Sequence, residues 1–437
     1  MFYLLEDLCL GLIKTCIFVI QKNIGLTFLY NFFTHCFSLL MPIIGLLSSK
    51  LKLFVNGRKH TFKILKNQIS KKDKVIWFHC ASLGEYEQGV PVMEQLKEDY
   101  PDYKLLVTFF SPSGYEAKKN SKLPDVVCYL PLDTVGNAKK FVQLVQPELA
   151  VFVKYEFWPN YLSELKKQNI PTIFISAVFR KNQVFFKWYG GFMRKALGNA
   201  DYFFVQDRES EDLIKGLGFA NVSISGDTRF DRVSHQIEMN NTVNFIEEFI
   251  NDRTCIVLGS TWPEDEEIFV EYINTASNDI CFIIAPHEIK EQKTNSLVKK
   301  LSAKTVLYSD KEGKDLKKYQ VFVMDTIGYL SRVYSYADIA YVGGAMGTSG
   351  LHNILEPATF GIPIVIGQNF ENFREAIQLQ KLAGLFSISS ADEFAEITTK
   401  LVTDKNFREK TGMIAGHFIN SNTGATQVIM ERVKIFF

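Results

Sequence analysis

Three glutamates and one glycine-rich loop carry the residue types in this chain that could do chemistry. Glu85 closes the run Ala81-Ser82-Leu83-Gly84-Glu85, and Glu156 opens Glu156-Phe157-Trp158-Pro159-Asn160. Glu356 lies in a segment that begins Gly343-Gly344-Ala345-Met346-Gly347 and runs through Gly350, His352 and Asn353. A carboxylate at a strand end can take the proton of a hydroxyl and make a nucleophile of an alcohol. A glycine-rich loop lets backbone come close to a ligand, and a helix start offers N–H groups and partial positive charge to an anion. His352, Asn353 and Glu356 add groups suited to the ribose and base of a nucleotide. The loop is neither Walker A nor GxGxxG, since no GK[ST] follows and the glycine spacing differs. Each feature also has a plainer reading. Ser82-x-x-Glu85 fits a capping box, in which both side chains serve free backbone N–H groups. Ser111-Pro112-Ser113-Gly114 fits an ordinary turn, and Trp158 suits a core.

The elements that must position these groups are legible as apolar runs. Segments 75–82, 104–110, 126–133, 149–156, 172–179, 202–207 and 222–226 alternate with amphipathic stretches such as 85–99 and 158–168. After a polar stretch at about 232–252, the alternation restarts with 255–260, 281–286, 304–309, 321–326, 339–344 and 363–367. Short, nearly all-apolar strands separated by helices predict parallel sheets covered on both faces. The expected fold is α/β, with two Rossmann-like doubly wound domains facing across a cleft. The reading divides the chain into an N-terminal apolar helical segment, 1–49, a first Rossmann-like domain, 50–235, and a second, 236–437. In such sheets ligands bind beyond the carboxyl ends of the strands, where each cluster named above falls.

Composition narrows the function classes. With 437 residues and 47% hydrophobic content the chain can bury two cores, and a net charge of +1 argues against a nucleic-acid partner. The seven cysteines form no CxxC pair and read as reduced, buried thiols, and no HExxH pattern occurs. No DxD pair stands at a strand end, so neither a metal nor a cofactor is expected. The run 23–49 holds no Asp, Glu, Lys or Arg, while Lys50, Lys52, Arg58, Lys59, Lys63, Lys66, Lys71, Lys72 and Lys74 follow. That order suits contact with membrane lipids from the cytoplasmic side. The alternative is a helical hairpin buried in the first domain. A further apolar stretch, Leu8–Ile20, is interrupted by Lys14.

Seven motifs, HCASLGE (79–85), EFWPN (156–160), SGDTRFD (225–231), GSTWPEDEE (259–267), DT-x-G (325–328), ADIAYVGG (337–344) and HNILEPA (352–358), occur together and in order. In these the chain resembles the bacterial transferases of 3-deoxy-D-manno-oct-2-ulosonic acid (Kdo), which have the GT-B type fold. The resemblance spans roughly residues 45–420 and implies an acceptor domain at 50–235, a nucleotide-sugar donor domain at 236–437 and a membrane-associated segment at 1–49. It implies transfer of Kdo from CMP-Kdo to a lipid A precursor such as lipid IVA, with inversion at the anomeric carbon, at the cytoplasmic face of the cell inner membrane. It implies Glu85 as the general base and Glu156 near a sugar. It places Ser82, Gly84, Arg229, His287, Gly343, Gly344, His352, Asn353 and Glu356 among the substrate-binding positions. There are departures. The family's Pro-Arg-His appears as Ala285-Pro286-His287, without the Arg, Arg229 stands for a Lys, Lys154 replaces an acidic residue, and Ala345 replaces a Ser. Two rivals stand beside this reading. One is another GT-B transferase using a UDP-sugar and a lipid acceptor, on an architecture that sugar-nucleotide epimerases share. The other is a catalytically inactive membrane scaffold, which the three glutamates in separate segments argue against.

Overall fold

The computed structural model describes residues 23–437, so the expectation for Leu8–Ile20 lies outside the described residues. The described residues divide into two compact units, 23–232 with 424–437 and 233–423.

Unit 1 is built on a seven-stranded parallel sheet of β1 (Lys74–Cys80), β2 (Tyr103–Phe109), β3 (Val126–Tyr129), β4 (Leu149–Val153), β5 (Thr172–Ala177), β6 (Tyr202–Val205) and β7 (Val222–Ile224). The order is β3-β2-β1-β4-β5-β6-β7. The near-continuous apolar runs have a simple cause: helices cover both faces, so both sets of alternating side chains are buried. In β1, Ile76, Phe78 and Cys80 enter one apolar cluster while Trp77 enters the other. Because β1 pairs with both β2 and β4, the strand order reverses between β1 and β4. The loops leaving these two strands diverge there and open a crevice at their carboxyl ends.

Unit 2 repeats the plan with β8 (Thr254–Thr261), β9 (Ile280–Pro286), β10 (Thr305–Leu307), β11 (Val321–Val323), β12 (Ile339–Val342), β13 (Ile364–Gly367) and β14 (Leu385–Ile388). All pairs are parallel, in the order β10-β11-β9-β8-β12-β13-β14, with the reversal between β8 and β12.

Two parts of the expected division change. The second domain was expected to run to residue 437, but 424–437 belong to unit 1. The reason is specific: Asp231 accepts hydrogen bonds from the Gly424 and Thr426 N–H groups and the Thr426 hydroxyl. The helix Ala425–Val433 then buries Ile429, Met430 and Val433 in the cluster beneath helix Leu83–Asp99. At the other end, the apolar segment is part of a helical hairpin, Asn23–Ile44 and Ser49–Gln68, docked on unit 1. Ser48 caps the second helix by accepting the Leu51 N–H, and Met41, Phe54 and Val55 form a small core with Phe110 and Leu132. Gly57 has to be glycine, because a Cβ there would lie 2.1 Å from the Tyr129 ring.

Candidate functional site

In unit 1, the reversal of strand order brings together two segments far apart in sequence. β1 delivers His79 and the Ala81–Glu85 turn, and β4 delivers Lys154 and Glu156. Ser82 caps helix Leu83–Asp99 through a 3.4 Å hydrogen bond from the Glu85 N–H. The Glu85 carboxylate accepts the Ala81 N–H at 2.5 Å. The capping geometry is therefore present, with the carboxylate reaching one residue past the cap. It does not exhaust what Glu85 can do. Burial drives its proton affinity up to about 7, and the neighbouring Glu156 adds to the rise. The pull of the helix start is outweighed. Gly84 has open space where a Cβ would stand, so the fold itself does not demand glycine there.

Glu156 is also raised to about 7, by burial, against the indole of Trp158 and the charge of Lys154. Its Oε2 lies 3.7 Å from His79 Nε2, but this is not an ion pair. His79 is fully buried and lowered to about 4, and its Nε2 accepts the Trp158 indole N–H at 3.0 Å. The proton on a neutral ring must then sit on Nδ1, which faces Thr108 at 2.9 Å from Oγ1 and 3.1 Å from the carbonyl. His79 is thus a neutral spacer that fixes Trp158. Lys154 occupies the left-handed region at φ 64° and lowers both glutamates electrostatically. Sequence reasoning noted Lys154 only as a departure and gave His79 no role.

Arg229 is held by Asp227, which accepts from its Nε at 2.9 Å and from its terminal nitrogen at 2.8 Å. Asp227 also accepts the Gln88 amide at 2.9 Å, so the guanidinium has a built carboxylate partner. The Ser111 cluster, expected as an ordinary turn, is a helix start instead: Ser111 caps helix Pro112–Lys118 by accepting the Gly114 N–H, with Pro112 in its first turn.

In unit 2 the organising residue is Asp265, which sequence reasoning passed over. Fully buried, it accepts the Trp262 N–H at 2.8 Å, the Gly344 N–H at 2.9 Å and the Tyr341 hydroxyl at 2.7 Å. It joins the end of β8 to the end of β12 at the second reversal point. Gly343 and Gly344 are glycines for the chain's own sake. A Cβ on Gly343 would lie 2.4 Å from the Ser260 carbonyl, and one on Gly344, at φ 96°, 2.2 Å from the Gly350 carbonyl. The expectation of a glycine loop feeding a helix is corrected here. The helix is only Leu355–Thr359, and His352 and Asn353 precede it, leaving Glu356 alone within it. The N–H groups of Gly343, Gly344 and His352 are taken by the Gly259 carbonyl, Asp265 and the Gly343 carbonyl. Asn353 donates to Glu356 at 3.1 Å.

His287 and His352 meet in a ring stack with Trp262. His287 lies 4.3 Å from His352 and 4.7 Å from Trp262 between ring centroids, and the Trp262 indole donates to His352 Nε2 at 3.0 Å. Burial lowers both imidazoles, His352 to about 4, so the stack is neutral near pH 7. Lys293 stands beside it, 5.6 Å from the Trp262 ring and paired with Glu288.

Comparison with known proteins agrees with this construction. The family profile "3-Deoxy-D-manno-octulosonic-acid transferase (kdotransferase)" matches residues 56–232. The 3-deoxy-D-manno-octulosonic acid transferase of Haemophilus influenzae is 27% identical over 411 residues, covering 91% of this chain and 96% of that protein. The enzyme of the same name from Chlamydophila psittaci is 27% identical over 361 residues, covering 79% and 82%. Among solved structures, the UDP-GlcNAc 2-epimerase of Neisseria meningitidis superposes with a TM-score of 0.60 at 16% identity, covering 82% of this chain and 99% of that one, a likeness of fold. The profile thus falls on the sheet that carries Glu85 and Glu156, and over most of its length the chain is similar to 3-deoxy-D-manno-octulosonic acid transferases.

Proposed function

We propose that this chain transfers Kdo from CMP-Kdo to an acylated, phosphorylated glucosamine disaccharide such as lipid IVA, inverting the anomeric carbon, with Glu85 as the general base. The observation that carries the reading is the pair of buried Glu85 and partly buried Glu156, set at the strand reversal of unit 1 and both poised near pH 7. In the step proposed, Glu85 takes the proton of the acceptor hydroxyl as its oxygen bonds to the anomeric carbon. The bond from that carbon to the CMP phosphate oxygen breaks, and CMP leaves with the electron pair. Lys154, close to both glutamates, keeps one of them ionised at neutral pH. The ring stack of Trp262, His287 and His352 is the proposed neighbourhood of the nucleotide. Arg229, steadied by Asp227, is proposed to offer charge to an anionic substrate group.

The proposed place of action is the cytoplasmic face of the inner membrane. Helix Asn23–Ile44 exposes a stripe of Phe28, Phe32, Leu39 and Ile43, the last 62% accessible, continued by Leu46 in the turn. Exposed Lys52, Lys59, Lys63 and Lys66 follow on the next helix. A helix docked along one face and apolar along the other suits the plane of an anionic lipid surface.

Incubating the protein with CMP-Kdo and lipid IVA and weighing the product is the direct test, and an acceptor that gains no Kdo would overturn the reading. Protection from thermal unfolding by UDP and not by CMP would favour the UDP-sugar alternative.

The carboxylate pair predicts a pH dependence. The base must be ionised, so kcat/KM is expected to rise with pH through about 7. The two glutamates interact, and the limb belongs to the pair. Glu156→Gln removes the charge that raises Glu85 and should move the limb to lower pH. The stability effect has the opposite sense. A carboxyl whose folded proton affinity is raised from 4.5 to about 7 stabilises most in acid and loses that contribution as pH rises through about 7. Glu156→Gln should therefore raise Tm at pH 8 and not at pH 5. An unmoved limb in the variant's pH–rate profile would count against the pairing.

A further inference from the structure

We propose that Tyr30, Asp133 and Asn160 are positioning residues that couple the seating of the apolar helix Asn23–Ile44 to the geometry of the Glu85–Glu156 pair. The coupling deepens the transfer reaction proposed above and gives the helix a task besides holding the protein to lipid.

The contacts run in one direction through unit 1. Asp133, 3% exposed, lies in the segment after β3 and accepts the Tyr30 hydroxyl at 2.7 Å and the Asn160 N–H at 3.1 Å on Oδ2. Its Oδ1 accepts the Tyr161 N–H at 3.0 Å. The Asn160 side chain donates to the Asp133 carbonyl at 2.7 Å and to the Asn31 side chain at 2.9 Å. The Tyr30 ring packs on Phe192 at 5.3 Å. Tyr30 and Asn31 are thus polar fastenings on a helix whose opposite stripe is apolar and exposed.

Helix Pro159–Lys167 explains why this matters for the site. Its N-cap residue is Trp158, which offers no side-chain capping bond. Its free N–H groups are instead served by Asp133, from a different part of the chain. Trp158 itself donates to His79, and Glu156 stands two residues before it. The start of this helix therefore fixes one member of the carboxylate pair, and Asp133 fixes the start of the helix. Burial raises Asp133 to about 6, while the Tyr30 hydroxyl and the two N–H groups favour its ionised form. An unseated helix would remove the Tyr30 donor from a buried carboxylate and loosen its hold on Asn160 and Tyr161. Small displacements of catalytic groups are costly, on the order of 10²-fold per ångström.

Tyr30→Phe tests the coupling, because it keeps the ring against Phe192 and deletes only the hydroxyl. With full-length protein, CMP-Kdo and lipid IVA dispersed in detergent, where attachment to a bilayer is not required, kcat is expected to fall about tenfold. KM for CMP-Kdo and Tm should stay close to those of the unmodified protein. Asp133→Asn should lower kcat at least as far, and the double variant should be no worse than Asp133→Asn alone, as for residues acting in one chain of contacts. Undiminished kcat for Tyr30→Phe in detergent would overturn the proposal and leave the helix a tether. So would effects that multiply in the double variant. Amide exchange of segment 156–161 reads the coupling independently of turnover. It should quicken several-fold in Tyr30→Phe, and unchanged exchange would overturn the coupling. An unmodified protein that transfers no Kdo, with exchange that quickens in the variant, would defeat the proposed reaction and uphold the coupling.

Discussion

Glu85→Gln is expected to slow turnover roughly 10²–10⁴-fold while leaving Tm and CMP-Kdo affinity near their original values. The structure makes this substitution unusually selective. Glutamine is close in size and keeps a carbonyl oxygen that can accept the Ala81 N–H, the bond the carboxylate now makes. The backbone N–H of residue 85 still donates to Ser82, so the cap of helix Leu83–Asp99 survives. Only the capacity to take a proton is lost. Burial already makes the ionised form costly, so a neutral side chain brings no new desolvation penalty. Steady-state CMP release and a thermal melt on the same preparation would separate the two roles. A loss of about 1 kcal/mol of stability with turnover intact would mean that capping is the whole purpose of Glu85.

The difference between Glu85 and its surroundings shows what sequence can carry. A capping Ser followed by a Glu is a local pattern, readable at once, and the buried parallel strands are readable because both of their faces must be apolar. That Glu85 meets Glu156 depends on β1 pairing with β4 across the sheet, which no local pattern states. His79 looked like one more residue in a strand, and only the Trp158 indole aimed at its Nε2 shows why a neutral ring stands there. The longest overreach concerned residues 343–356. Glycines before an apolar, Asn- and Glu-containing run suggest a loop opening onto a helix, yet the glycines serve close backbone crossings with Ser260 and Gly350. The run folds as an irregular stretch before a five-residue helix. The C-terminal helix misled for a different reason. Its apolar face would suit either unit, and Asp231, remote in sequence, decides the matter.

Asp265→Ala is expected to destabilise unit 2 by about 3–5 kcal/mol. Three donors converge on this carboxylate, two of them backbone N–H groups and one the hydroxyl of a fully buried tyrosine. Alanine would leave all three without a partner, and each buried orphan costs on the order of 1–3 kcal/mol. Little relaxation is available to them. A Cβ at Gly343 would already meet the Ser260 carbonyl and Asp265 itself, so backbone from β8 and β12 is in close contact on either side. Asp265→Asn separates geometry from charge. Its oxygen can accept the Trp262 and Gly344 N–H groups, which now share Oδ2, while its NH₂ meets the Tyr341 hydroxyl, which can turn to accept. The asparagine variant should therefore lose no more than about 1 kcal/mol. Denaturant unfolding, with amide exchange of β8 and β12 as the local readout, gives the comparison. Because Asp265 ties Trp262 to Gly344, the alanine variant should also disorder the ring stack with His287 and His352 and weaken CMP-Kdo binding, whereas the asparagine variant should retain both. Equal stability of the two variants would show that the convergence of donors on Asp265 does not hold the ends of β8 and β12 together.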